Sequence, residues 1–192
     1  MTTIIALVPI KMDEKDKKDI FDPLTKHLAS IFSDASITIL TDPPQLDNFS
    51  MLFNEQRNQL NSDKILHWLA TNTIKNNTRS CDLKTTIILG ICNFDAYSSG
   101  LNFVFGQASL AGEDVAAIYL PRLRQDFYGL ASDTSIFIER VAKEATHELG
   151  HTFGLAHCPK QYCVMHFSNS IVDTDRKAND FCEICSNKLH QK

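Results

Sequence analysis

The strongest constraint on this chain is the spacing of His147, Glu148, His151, Gly154 and His157 in the stretch Ala145-Thr-His-Glu-Leu-Gly-His-Thr-Phe-Gly-Leu-Ala-His157. Residues four apart on a helix face the same way, one turn from each other, so His147 and His151 can hold one metal ion together. The stretch must therefore be helical. Glu148 lies within roughly a quarter-turn of both histidines, close enough to reach a water on that ion without being forced to ligate it. That is the position of a general base. Gly154 supplies the backbone freedom to leave the helix and swing the chain round, so that His157 returns as a third ligand from a different element. Three protein nitrogens leave a fourth position open, and open zinc sites are catalytic where structural ones are closed by four protein ligands. A lone helical histidine is more often a surface or core residue, but five positions at set spacing are a far more specific signal.

At 192 residues the chain suits a single domain, 1–192, able to bury a core without help from disulfides. Charged residues make up 22% and hydrophobic residues 43%, the balance of an ordinary globular protein. A net charge of -4 gives no basic footprint for nucleic acid. No stretch approaches the roughly 18 apolar residues of a membrane span. Residues 1–10 are apolar, but no Lys or Arg precedes them and a charged run over 11–19 follows at once, unlike a secretory signal. The expectation is a cytoplasmic monomer without nucleic-acid or membrane partners.

Residues 4–10 form a continuous apolar run, as a parallel strand covered by helices on both faces requires. A helix over 16–32 follows, with Ile20, Leu24, His27, Leu28 and Ile31 near the 3.6 period and Pro23 denting it. Residues 36–40 read as a second strand, closed by the turn-rich 41–44, and 45–59 carry no clear pattern. A helix capped near Asn61 runs over 64–74, residues 75–80 form a loop, and 85–92 are the clearest strand in the chain. Helices between the early strands point to crossovers and a parallel sheet. Residues 102–110 and 115–120 are two strands whose connection is too short for a crossover, so one runs antiparallel to its neighbour. Gly106 hints at a bulge or a close backbone approach, and this strand is taken as the sheet edge. A free edge beside a cleft is a template for strand addition, which makes Phe103, Val104, Phe105, Gly106, Gln107 and Ala108 the expected peptide-binding strand. Ser132 or Asp133 caps the site helix, whose Ile138, Val141, Ala142, Ala145 and Leu149 face the sheet.

Beyond Gly154 the composition shifts to Cys and polar residues. The chain thus divides into an upper part, 1–154, with the sheet and site helix, and a smaller lower part, 155–192. Cys158, Cys163, Cys182 and Cys185 form two closely spaced pairs, the pattern from which a tetrahedral thiolate site is built. Disulfides are the alternative, but they fit poorly with a chain lacking an export signal. The segment between the pairs is poor in apolar residues, and a structural zinc would compensate for its small core. Cys81 and Cys92 have no such spacing and read as inert core thiols.

The string His147-Glu-x-x-His-x-x-Gly-x-x-His157-Cys158-x4-Cys163-x-Met165, followed by Cys182-x2-Cys185, resembles the archaemetzincin family of metzincin zinc metalloproteases. Residues 101–106 and 167–170 also resemble it, so the likeness covers roughly the C-terminal half. The resemblance implies a zinc-dependent peptidase with two zinc ions per chain. One would be catalytic, on His147, His151 and His157, and one structural, on the four cysteines. Glu148 would be the general base and Met165 the methionine turn beneath the catalytic zinc. Some metzincins carry a tyrosine ligand two residues after that methionine. Here the position is Phe167, so no fifth protein ligand is expected, and Tyr162 reads as a surface or packing residue.

The fold expected is a small α/β, metzincin-like domain. It has a twisted mixed sheet, an antiparallel edge strand, two long helices including the zinc-binding one, and a C-terminal cysteine-zinc subdomain. The leading function is hydrolysis of peptide bonds in a peptide or protein substrate by zinc-bound water activated by Glu148. Two other readings stand beside it: an amide hydrolase acting on a non-peptide substrate, and a catalytically silent zinc-binding interaction protein. Intact Glu148 argues against the silent binder, which has no use for a base beside an open zinc.

Overall fold

Which face each side chain takes along the central strands determines the layering. The structure, a computed structural model, describes residues 3–40, 49–77, 85–109 and 114–189. In chain order these form β1 (Thr3–Ile10), α1 (Glu14–Ile31), β2 (Ala35–Ile39), α2 (Phe49–Leu52), β3 (Phe53–Asn54), β4 (Gln59–Asn61), α3 (Ser62–Asn77), β5 (Thr86–Cys92), β6 (Ala96–Tyr97), β7 (Gly106–Ala108) and β8 (Val115–Tyr119). Two 3-10 turns, Pro121–Leu123 and Asp126–Tyr128, lead into α4 (Thr134–Thr152), which is followed by α5 (Ile171–Arg176) and α6 (Glu183–Leu189).

The main sheet has the order β2-β1-β5-β8-β7. β1 pairs in parallel with β2 and β5, and β5 with β8. β7 alone is antiparallel, with Gly106 opposite Ile118 and Ala108 opposite Ala116. Alternate side chains of the central strands enter opposite layers. Ile5, Leu7, Leu89, Ile91 and Ile118 join a core with Leu24 and Leu28 of α1 and Val141, Ala145 and Leu149 of α4. Val8, Ile10, Ile88, Ala117 and Tyr119 join a second core with Ile65, Leu66 and Leu69 of α3. The long helices α1 and α4 thus cover one face and α3 the other, which is why β1 and β5 read as unbroken apolar runs.

Local signals explain most boundaries. Asp13 caps α1 by accepting from the Asp16 N–H at 2.7 Å, and the helix continues through Pro23. Asn61 Oδ1 accepts from the Lys64 N–H at 3.1 Å at the start of α3, which runs to Asn77, past the residue-74 end expected for it. The expected strand over 102–110 pairs only at Gly106–Ala108. Before that, the Val104 N–H donates to Ala96 O at 3.0 Å, tying the chain to a small sheet ordered β3-β4-β6 instead of to β8. The turn at 41–44, residues 78–80, Cys81 and most of the 110–114 connection fall outside the described residues. A third cluster gathers Leu155, Cys158, Cys163, Val164, Met165 and Cys185.

Gly90 on β5 lets α3 approach the sheet, since an added Cβ would stand 2.7 Å from Leu69 Cδ1. Leu69 is fully buried and has little room to yield. Gly90→Ala is expected to cost about 1–3 kcal/mol of stability by overpacking, read as a lower urea midpoint with an unchanged slope.

Candidate active site

The site is built on the C-terminal half of α4. Asp133 caps this helix, its Oδ1 accepting from the Ile136 N–H at 3.0 Å. The helix ends in a Schellman arrangement: Leu155 N–H donates to Gly150 O at 2.9 Å and Gly154 N–H to His151 O at 2.8 Å. Gly154 has φ +82°, a conformation that strongly favours glycine. The turn reverses the chain within a few residues and carries His157 back over the helix.

One ring nitrogen from each of His147, His151 and His157 lies within 4.8 Å of the others. His147 Nδ1 donates to Val164 O at 2.8 Å and His151 Nδ1 to Leu155 O at 2.7 Å. Because a carbonyl only accepts, each Nδ1 carries the proton and each Nε2 presents a bare lone pair. Those two Nε2 atoms stand 3.1 Å apart. Lone pairs that close repel unless a cation lies between them, so the donor set fits zinc. The His157 ring packs edge-on against Phe167, with centroids 5.0 Å apart. Burial holds all three imidazoles below their ordinary range and so favours the neutral, ligating form.

Glu148 is buried beside the histidines. Burial and then the charge of Glu144 push its carboxyl well above the usual range, while the Lys177 ammonium pulls it back. Gly106 passes directly over it, since a Cβ there would stand 2.5 Å from both Cγ and Oε1 of Glu148. The close approach expected at Gly106 is therefore an approach to this carboxylate.

Met165 is fully buried, and its side chain fills the space that a Cβ on Gly150 would need. Cys158 N–H donates to Met165 O at 2.8 Å, which fastens the histidine loop to the methionine segment. The Sγ atoms of Cys158, Cys163, Cys182 and Cys185 all lie within 4.8 Å of one another, and none is in a disulfide. Burial pushes the Cys182 thiol up, but the Cys185 N–H and the surrounding thiols bring it down to about 7. Four convergent thiols with a lowered member fit a closed thiolate site. Cys92 is buried in the second core, where burial raises its thiol and keeps it inert. Tyr162 is exposed.

A cavity of about 610 Å³ runs between β7 and α4. Phe103, Val104, Phe105, Gly106, Gln107 and Ala108 all line it, together with His147, Glu148, His151 and His157. Two residues of the cavity carried no weight in the sequence. Glu144 stands four positions before Glu148 and so shares its helix face, a signal present but unused. Lys177 lies in a polar segment with no motif, yet it donates to Glu144 Oε1 at 3.2 Å from a buried position.

The family model described as "Peptidase family M54" matches residues 5–191. The chain belongs to peptidase family M54. Archaemetzincin of Pyrococcus furiosus is 38% identical over 193 aligned positions, covering 100% of this chain and 95% of that protein. The crystal structure of archaemetzincin from Methanopyrus kandleri superposes with a TM-score of 0.77 at 32% identity, over 98% of this chain and 94% of that one. A zinc-dependent peptidase from Methanocorpusculum labreanum superposes with a TM-score of 0.82 at 27% identity, over 96% and 99%. The archaemetzincin resemblance thus extends over nearly the whole chain, well beyond the C-terminal half that carries the motifs.

In this M54 chain, Gly106→Ala is expected to leave the fold intact but to force Glu148 or β7 aside. The cost should be about 1–3 kcal/mol in unfolding free energy, and a crystal structure of the variant should show the Glu148 carboxylate displaced.

Proposed function

We propose that this zinc metallopeptidase holds its catalytic zinc on His147, His151 and His157, uses Glu148 as general base, and binds an extended peptide along β7. The observation that carries the reading is the pair of bare Nε2 atoms 3.1 Å apart with the buried Glu148 carboxylate beside them. The zinc, when bound, supplies Lewis acidity toward water and the scissile carbonyl.

β7 is the last strand of its sheet among the described residues, so its outer edge can pair with a substrate backbone. Such pairing reads main chain more than side chain. It holds the substrate beside Gly106, where the absence of a side chain lets the scissile bond approach Glu148. Glu148 then takes the proton of the attacking water and returns it to the leaving amine, the two halves of general acid–base catalysis. Burial makes the carboxylate the stronger base. His147 and His151 keep their orientation throughout because Val164 and Leu155 hold their far nitrogens.

Met165 beneath Gly150 acts as the methionine turn, a polarizable floor that holds the histidine helix over the lower part, 155–192. The four cysteines hold a second, structural zinc, and their convergence as free thiols fits a reducing, cytoplasmic compartment. Among the described residues no helix is long and apolar enough to cross a membrane. A passive zinc-binding role would leave a buried Glu148 unexplained, because burying a carboxylate without function is costly.

Glu148→Gln is expected to keep the fold and the metal content while activity on a peptide library falls roughly a hundred- to ten-thousandfold. Wild-type rates in the zinc-loaded variant would overturn the mechanism. Metal analysis by mass spectrometry should give two zinc ions per chain. Cys182→Ser should remove one and lower the melting temperature, and His157→Ala should remove the other with a smaller effect on folding.

A further inference from the structure

Past Glu148 the cleft has a polar end that the peptidase chemistry leaves unused. Glu144 lies one turn earlier on the same face of α4, about 6 Å along the axis, and is 3% exposed. Lys177, 2% exposed, donates from Nζ to Glu144 Oε1 at 3.2 Å, and the Thr174 hydroxyl donates to the same oxygen at 3.0 Å. Glu144, Lys177, Ser168 and Asn169 all line the cavity.

The hydrogen bonds at this end do not balance. An ammonium has three hydrogens to donate, and among the described residues Lys177 has one acceptor, Glu144. Ser168 Oγ is buried and has no hydrogen-bond partner among the described residues. A buried cation with unspent donors and an unpartnered hydroxyl lining the same cavity are unfavourable unless something with lone pairs completes the set. Water can do so while the cleft is empty, and a substrate group that enters must replace it. An apolar side chain would strand the donors. A side-chain amide brings one acceptor and two donors of its own. A carboxylate accepts only, through two oxygens, and bonds from an ammonium to a carboxylate are the stronger, charge-assisted kind. Glu144 and Lys177 neutralise each other, so a preference for a carboxylate rests on the remaining Lys177 N–H donors and the Ser168 hydroxyl and not on net charge.

We infer that this end of the cavity is a specificity subsite for a substrate carboxylate, with Lys177 and Ser168 as its donors. The inference rests on the peptidase reading of the neighbouring histidines and Glu148. The carboxylate has two possible sources: an Asp or Glu side chain next to the scissile bond, or the free C-terminus of a short substrate.

The test is equilibrium binding to the zinc-loaded Glu148→Gln protein, read by fluorescence anisotropy of labelled peptides that it does not turn over. One set of peptides is identical except for Glu, Gln, Leu or Lys at a position flanking the scissile bond. A second set compares free-acid with amidated C-termini. At least one carboxylate-bearing peptide should bind about tenfold to a hundredfold more tightly than its neutral counterpart, as charge-assisted bonds allow. A gain in the first set assigns the side chain, and a gain in the second assigns the C-terminus. Adding Glu144→Gln and Lys177→Met together, which removes both buried charges, should abolish the preference while changing affinity for the Leu peptide far less than affinity for the carboxylate peptide. Should that protein fail to fold, Ser168→Ala decides, and it should reduce the preference severalfold. Equal binding of charged and neutral peptides, or a preference that survives these substitutions, overturns the subsite. If the preference holds but zinc-loaded wild type cleaves none of these peptides, the peptidase reading falls and the carboxylate site stands.

Discussion

Two hydrogen bonds from imidazole to backbone carbonyl govern the rest of the site. Val164 O and Leu155 O hold the Nδ1 protons of His147 and His151, and so aim two bare nitrogens at one point. Each carbonyl is itself fixed by a different part of the molecule. Leu155 also donates its N–H to Gly150 O, so the turn that ends α4 orients the histidine inside it. Val164 is fully buried between Cys163 and Met165, and its N–H donates to Asp180 O at 3.1 Å. The cysteine cluster therefore bears on the histidine site through Val164, next to Cys163, and through Cys158, which directly follows His157. A structural metal on the thiols and a catalytic one on the imidazoles would be linked by those short paths, in which partners beyond the ligands set ligand orientation.

Polar contacts of buried cations help fasten the lower part to α4, alongside Met165 beneath Gly150 and Ile171, Phe181 and Leu189 against the main core. Arg140 makes a bidentate contact with Asp175 at 2.7 and 2.8 Å and donates to Leu123 O, while Lys143 donates to Asp175 O at 3.1 Å. With Lys177 on Glu144, these bonds place α5 against one face of the site helix. Arg140 and Lys177 are buried, so removing the carboxylate partner of either would strand a charge out of water. Such contacts specify one docking geometry. That suits a segment which must hold a cleft wall at a fixed distance from Glu148 while having few apolar residues to bury.

Much of this was legible in the sequence because the responsible signals are local. The histidine spacing required a helix and then a reversal, and α4 with Gly154 provides both. β1, β5 and β8 were readable as apolar runs because helices cover both their faces. Asn61 and Asp133 mark helix starts by caps that act within three residues, whereas the Asp13 cap sets α1 two residues ahead of its expected start at 16. The small sheet was not readable, since strands of two or three residues carry no periodicity. The edge strand is shorter than its apolar run because Val104 spends its N–H on Ala96, a partner that only the tertiary structure brings near. Lys177 was invisible for a related reason. A lysine in a polar segment reads as solvent-exposed, and only the docking of α5 onto α4 buries it.

The central claim is that neutral His147 and His151 present their Nε2 atoms, with a ring nitrogen of His157, to one zinc because backbone carbonyls hold the Nδ1 protons of the first two. The most direct measurement is a zinc-edge anomalous difference map from crystals of the loaded protein. A peak in contact with Nε2 of His147 and His151 and a ring nitrogen of His157 is expected, with both Nδ1–carbonyl bonds intact. Coordination through Nδ1 of His147 or His151, or no peak at the three imidazoles in protein that cleaves peptides, would contradict the claim.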